Sequence, residues 1–155
     1  MHRAAMIAKI LEMITGKDDV ERVACKEDLI LLNEYLKTRK LLIPKRPKRF
    51  LDAATFTPEH LLELTEEEAR DLAGDHFEPW ILVVDGRKRL PAFSSWKRME
   101  AFSAKISQQL NKVFGLGSIE SLLADITKHV DVDFVDLNLF SKRSWEIGMN
   151  GPIFG

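Results

Sequence analysis

Apolar residues recur three and four apart along most of the chain and alternate in only a few short runs, a pattern that predicts a mixed α/β protein. Ile7, Ile10, Leu11 and Ile14 fall on one face of a helix over residues 4–14, and Gly16 supplies its stop. This short amphipathic helix is expected to dock on its own molecule, with a second copy or another protein as the alternatives, because a bare apolar stripe invites aggregation. A second helix is predicted over 26–39, where Leu29, Leu32, Tyr35 and Leu36 share a face. Glu27 and Asp28 at its start and Lys37, Arg39 and Lys40 at its end complement the helix dipole. Leu41 to Ile43 then reads as a short strand closed by Pro44.

Residues 44–57 have the composition of an exposed extended loop. Thr57-Pro58-Glu59 marks a helix start, and Thr65 to Glu68 has capping-box spacing for a second short helix ended by Gly74. Trp80 to Val84 reads as a buried strand, Asp85-Gly86 as a turn, and Leu90, Ala92 and Phe93 as the returning strand of a hairpin. Ser94 or Ser95 caps the next helix, whose apolar face is Trp96, Met99 and Phe102. Val113-Phe114 predicts a short strand. Ser118 to Ser121 opens a helix that turns Ile119, Leu122, Leu123 and Ile126 inward. Val132 and Phe134 alternate with Asp131 and Asp133 in a strand ending near Asn138, and Trp145 to Ile147 adds an edge strand. The expected fold is α/β (α+β): a mixed sheet with a β-hairpin and β-α-β crossovers, flanked by helices. Residues 1–25 form a helical appendage and 26–155 a single domain.

Two of these segments carry a resemblance. Leu90-Pro-Ala-Phe-Ser-Ser95 followed by a helix, and later Phe134-Val-Asp-Leu-Asn138, resemble the SseB family, a bacterial family of serine-sensitivity-enhancer type. The resemblance spans about Leu41 to Ile147 and leaves residues 1–25 outside. It implies the motif residues Leu90, Pro91, Phe93, Ser94, Asp136 and Asn138, and a family without an assigned chemistry. Relatives commonly have proline after the asparagine, where this chain has Leu139, and the loop from Arg49 to His60 has no clear counterpart. The motif residues also have plain structural uses. Pro91 lacks a ladder donor and suits a strand edge or exit, Phe93 enters the core, and Asn138 can tie a strand end to a turn.

Composition narrows the classes of function. The 155 residues hold 23 Lys plus Arg against 24 Asp plus Glu, so no global attraction to nucleic acid or anionic lipid is expected. One cysteine, Cys25, points to a reducing compartment, and no apolar run approaches the length of a membrane span; a cytoplasmic location is the expectation. The charge is nevertheless segregated. Lys37, Arg39, Lys40, Lys45, Arg46, Lys48 and Arg49 lie in thirteen residues with no acid, whereas Glu59 to Glu78 holds eight carboxylates against Arg70 alone.

Candidate chemistry is sparse. Asp131, Asp133 and Asp136 lack the spacing of a calcium loop. His60, His76, beside Asp75, and His129 have no zinc-ligand spacing with one another or with Cys25. Gly115-Leu-Gly117-Ser118 before a helix has the look of a phosphate-binding turn without the full glycine pattern. No cofactor or metal is expected. The basic residues Lys45, Arg46, Lys48 and Arg49, expected to be exposed, form the candidate binding surface. Phe50 is the one aromatic beside them, so an acidic protein is favoured over nucleic acid, which stacking aromatics would serve. The reading is a non-enzymatic protein-interaction or regulatory domain, with a protein partner or a second copy as its target. A small metal-dependent or hydrolytic enzyme and an anion- or nucleic-acid-binding module built on residues 37–49 are the alternatives.

Overall fold

The computed structural model describes residues 2–74 and 78–149. Three helices lead the chain: α1 (His2–Thr15), α2 (Asp19–Ala24) and α3 (Leu29–Leu36). Strand β1 (Leu41–Lys45) and the short β2 (Leu51–Asp52) precede α4 (Pro58–Glu63) and α5 (Glu66–Leu72). The hairpin β3 (Leu82–Val84) and β4 (Arg87–Ala92) leads into α6 (Trp96–Leu110). β5 (Lys112–Val113), β6 (Gly117–Ser121), α7 (Leu123–Ile126), β7 (Phe134–Leu137) and β8 (Trp145–Gly148) complete the order.

The main sheet has the strand order β3-β4-β7-β8 and is mixed. β4 and β7 run parallel, joined by the crossover through α6, while β3 and β8 pair antiparallel at the two edges. The hairpin turns at Asp85 and Gly86, both with positive φ, as a tight two-residue turn requires. β1 pairs antiparallel with β6, and β2 with β5. On its other side β1 exchanges backbone hydrogen bonds with Phe93 and accepts one from the Trp80 amide at Pro44. The architecture is α+β with a mixed sheet, a hairpin and a β-α-β crossover, as the sequence pattern implied.

Alternation along β4 sorts the interior into two apolar clusters. Leu90 and Ala92 meet Val20, Ala24, Leu32 and Leu36 from α2 and α3, Leu123 and Ile126 from α7, and Val135 and Leu137 from β7. Phe93 joins Met99, Phe102 and Ile106 of α6 with Trp80 and Phe114. Trp80 stands edge-on to Phe102, with ring centroids 5.7 Å apart. Pro91, inside β4, lies beyond the β3 register, which ends at Arg89, so its missing donor leaves no gap there.

Several elements differ from the sequence pattern. The helix predicted over 26–39 begins only at Leu29, because Glu27 takes a positive φ and Asp28 caps the helix through the Leu31 amide. Residues 19–24 form their own helix, opened by a capping box between Asp18 and Glu21. Val20 and Ala24 are buried with the main core, so the packed body begins before residue 26. Ser118 to Ser121 is strand, not helix: its backbone pairs with β1, and tertiary pairing outweighs local helix signals. β1 also continues through Pro44 to Lys45. Trp80 to Val84 is not a buried strand throughout, since only Leu82–Val84 is strand and Val83 and Val84 lie exposed on an edge. Finally, α1 does not dock its apolar stripe on the body. Met6, Ile7, Ile10 and Leu11 are exposed, and Met13 and Ile14 are 85% and 76% exposed.

Candidate functional site

In sheets with parallel strands, ligand sites form outside the carboxyl ends of those strands. Here those ends belong to β4, which runs into Phe93 and Ser94, and to β7, which runs into Asn138. The innermost part of this crevice is filled by the chain itself. The Asn138 side-chain oxygen accepts from the Ser94 amide at 2.9 Å, its Nδ2 donates to Ser94 Oγ at 2.9 Å, and its own amide donates to Ala92. Ser94 Oγ donates in turn to Asp18, the cap of α2. Asn138 is fully buried, and Asp18, Glu21 and Ser94 nearly so. Asn138 holds φ +56, a backbone state asparagine tolerates better than most residues.

Charges ring this knot. Arg98 on α6 donates to Glu21 through Nε at 2.9 Å and Nη2 at 2.6 Å. Glu21 is only 2% exposed at its side chain, so removing Arg98 would strand a buried charge. Arg39 grips Asp19 from Nε at 2.8 Å and also donates to the Ser94 carbonyl at 2.9 Å. Burial pushes the Asp19 carboxyl up, but hydrogen bonds from Arg39 and Tyr35 outweigh it and hold the group below its ordinary range. Burial dominates at Asp18 and leaves its carboxyl raised, despite the Ser94 and Glu21 hydrogen bonds. Among the described residues the Ser94 side chain bonds to Asp18 and Asn138 and to no histidine or lysine, so the knot joins α2, β4 and β7.

Outside the knot the crevice opens into a cleft lined by Gly16, Glu21, Lys97, Arg98, Ala101 and Phe140 to Arg143. Arg98 Nη2 and Arg143 Nη1 both reach the Gly16 carbonyl, at 3.2 and 3.5 Å, and so fasten the carboxyl end of α1. Phe140 has φ +66 and lies parallel to the Phe102 ring at 6.2 Å.

The candidate binding residues 45–49 sit elsewhere. Arg46, Lys48 and Arg49 are exposed as expected, but Lys45 is half-buried because β1 extends through it and pairs it with Gly117. The Arg46 guanidinium stands about 6 Å from the Phe50 and Trp80 rings, and Arg49 approaches Asp71 at 3.8 Å. The basic and acidic stretches thus meet within the molecule at Asp71, which also accepts from the Lys48 amide at 3.0 Å.

The other candidates resolve into local roles. Asp136 pairs with Arg89 at 2.9 Å, and burial keeps its carboxyl raised against the pull of that guanidinium. Asp133 accepts from the Lys88 amide, and Asp131 faces Lys88 Nζ at 3.7 Å. His60 Nδ1 accepts from the Thr57 amide, closing a cap, and His129 is exposed. Among the described residues no hydrogen bond joins any two of Cys25, His60 and His129, and no three metal-ligating side chains cluster. His76 and Asp75 lie outside the described residues. Gly115 and Gly117 serve packing: a Cβ on either would lie 2.7 Å or less from the backbone of Ala73.

Set against family models, curated proteins and solved structures, the chain matches none. Among the described residues no helix is long and apolar enough to cross a membrane. The cleft and the bare face of α1 were the features hardest to foresee. Lys97-Arg98 and Lys142-Arg143 are far apart in sequence and meet only through the crossover between β4 and β7. The Asp-x-x-Glu spacing of Asp18 to Glu21, not singled out in the sequence, is the signal that could have located the knot's third corner.

Proposed function

We propose that the chain is a non-enzymatic protein-interaction domain of SseB type that associates with a second copy of itself through α1. One observation carries this reading: α1 exposes Met6, Ile7, Ile10, Leu11, Met13 and Ile14 while its carboxyl end is fastened by Arg98 and Arg143. An exposed apolar face on an anchored helix marks an interaction surface. Ile7, Ile10, Leu11 and Ile14 form a stripe without a charge in it, and such a stripe is self-complementary, as a two-fold interface demands. The SseB likeness is supported by the placement of its two motifs, which lie side by side as β4 and β7 and are joined by Ser94 and Asn138. Asp18 and Ser94 are both buried and are taken up in tying α2 to β4 and β7, which supports a structural use of this hydroxyl–carboxyl pair over a catalytic one.

Sedimentation equilibrium tests the reading on the parent and on the double variant Ile10→Glu with Ile14→Glu. The parent should be a dimer and the variant a monomer with unchanged circular dichroism. A parent that stays monomeric up to about 100 µM, corresponding to association weaker than about −5.5 kcal/mol, would reject self-association. So would a variant that dimerises as the parent does.

A further inference from the structure

We propose that the cleft between the loops leaving β4 and β7 binds a small soluble oxyanion of the phosphate-monoester class. The site is distinct from the basic stretch at 45–49, and the proposal does not depend on self-association through α1. Lys97 and Arg98 enter from the first turn of α6, and Lys142 and Arg143 from the loop after β7. The cleft wall contains one acid, Glu21, and it is already held by Arg98 at 2.6 Å. Among the described residues neither Lys97 nor Lys142 has a carboxylate within ion-pair distance, and Arg143 meets only the Gly16 carbonyl. Three further cationic side chains therefore line a concavity whose single carboxylate is already paired with Arg98.

A second observation is independent of charge. Ser141 lines the same cleft, and its hydroxyl oxygen is cut off from solvent yet has no hydrogen-bond partner among the described residues. A sequestered hydroxyl without a partner is costly, and rotation about χ1 as a ligand enters would turn it out of its unpaired position toward a ligand oxygen. The backbone adds a third. Phe140, beside Ser141, is held at φ +66, a state bulky residues avoid and which clusters at ligand clamps. The cleft also lies outside the carboxyl ends of the parallel strands β4 and β7.

The donor set favours phosphate over carboxylate. Two ammonium groups, a guanidinium and a hydroxyl suit several terminal oxygens bearing a charge of about −1.5 to −2, more than a single carboxylate offers. Inorganic phosphate is the probe, titrated near neutral pH at constant ionic strength and followed by backbone amide NMR. Saturable shifts confined to residues 97–98 and 140–143 are expected, with a dissociation constant of about 1 mM or tighter. The double variant Lys97→Gln with Lys142→Gln, whose residues make no contact the fold needs, should bind at least about tenfold more weakly, and acetate should not saturate. Lys45→Gln with Lys48→Gln should leave the titration unchanged. Non-saturating shifts, shifts spread over residues 45–49 as well, or an unaltered titration in the Lys97/Lys142 variant would overturn the proposal. Acetate binding as tightly as phosphate would overturn the ligand class. Binding to phosphatidate vesicles without binding of inorganic phosphate would overturn the soluble ligand.

Discussion

Replacing Gly117 with alanine sets a Cβ 2.3 Å from the Ala73 carbonyl oxygen, 3.0 Å from the Gly74 oxygen and 3.2 Å from the Gly74 carbon. All three atoms are backbone, so no side chain can swing aside. Either the turn after α5 retreats or β6 peels from β1 at the Lys45–Gly117 pair. Overpacking typically costs about 1–3 kcal/mol, and a backbone-on-backbone clash belongs near the top of that range. Against it stands a gain of about 0.4–1 kcal/mol from a less flexible unfolded chain. The net loss is about 2 kcal/mol, which for a chain of this size lowers Tm by roughly 4–8 °C. Gly148 is the matched control, since a Cβ there meets nothing within 4 Å and its φ is not positive. Gly148→Ala should be neutral or stabilise by about 0.4–1 kcal/mol. Urea unfolding of both variants, compared at equal m, gives the difference directly. A Gly117→Ala protein as stable as the parent would mean that α5 does not nest on β6, and the packing account of Gly115 and Gly117 would fail with it.

Three further outcomes follow from the site. Asn138→Ala should lose about 2–4 kcal/mol in urea unfolding, combining an unpaired buried Ser94 amide with alanine's strain at φ +56. Asn138→Gly should lose less, and equal losses would remove strain from the account. Neighbouring carboxyls should show opposite pH signs. The Asp19 pKa is lowered on folding, so its contribution is present above the unfolded value of about 4 and is lost as pH falls through the folded value. The Asp18 pKa is raised, so its contribution is present below that unfolded value and is lost as pH rises through the folded one. Stability profiles from pH 3 to 7, roughly the carboxyl range, should flatten on the acid side in Asp19→Asn, whereas Asp18→Asn should gain on the parent as pH rises; profiles that move together would refute the assignment. Replacing Lys45, Arg46, Lys48 and Arg49 by Gln should change thermal stability by less than about 0.5 kcal/mol per site. Arg46 is the exception, losing about 0.5–1 kcal/mol as it leaves the Phe50 and Trp80 rings. A larger loss at Lys48 would show that its side chain, and not only its amide, holds the Asp71 turn.

Local signals were legible wherever chain neighbours supply the partner. Thr65 and Glu68 form their capping box, Gly74 takes the positive φ that ends its helix, and Asp85-Gly86 turns the hairpin. They failed where the partner is distant. Ser118 to Ser121 becomes a strand because β1 presents an edge to it, and nothing within those four residues records that edge. The basic stretch drew notice because its charges are contiguous, yet it is an open loop partly answered by Asp71. The cleft went unseen because its cations come two by two from separate elements. Asn138 was legible as an amide tying a strand end. Of the two serines expected as caps, Ser95 takes the cap of α6 and Ser94 turns its hydroxyl to Asp18 and Asn138. Asp18 lay outside the stretch that carried the resemblance.

The double-sided pairing of β1 has a consequence for how the chain is made. One side of β1 is closed by Gly117–Ser121 and the other by Phe93 and the Pro79–Trp80 segment. During synthesis, Leu41 and Ile43 emerge long before any of these residues exist. Loop closure over such separations must precede the contacts that reward it, so the rate of folding is governed by topology more than by helix formation. α3 can form early, but the strand after it waits as an apolar edge until residue 121 has left the ribosome. A chain halted at the end of α6 should therefore bind a holdase chaperone, and release should begin only as β6 becomes available to close the ladder.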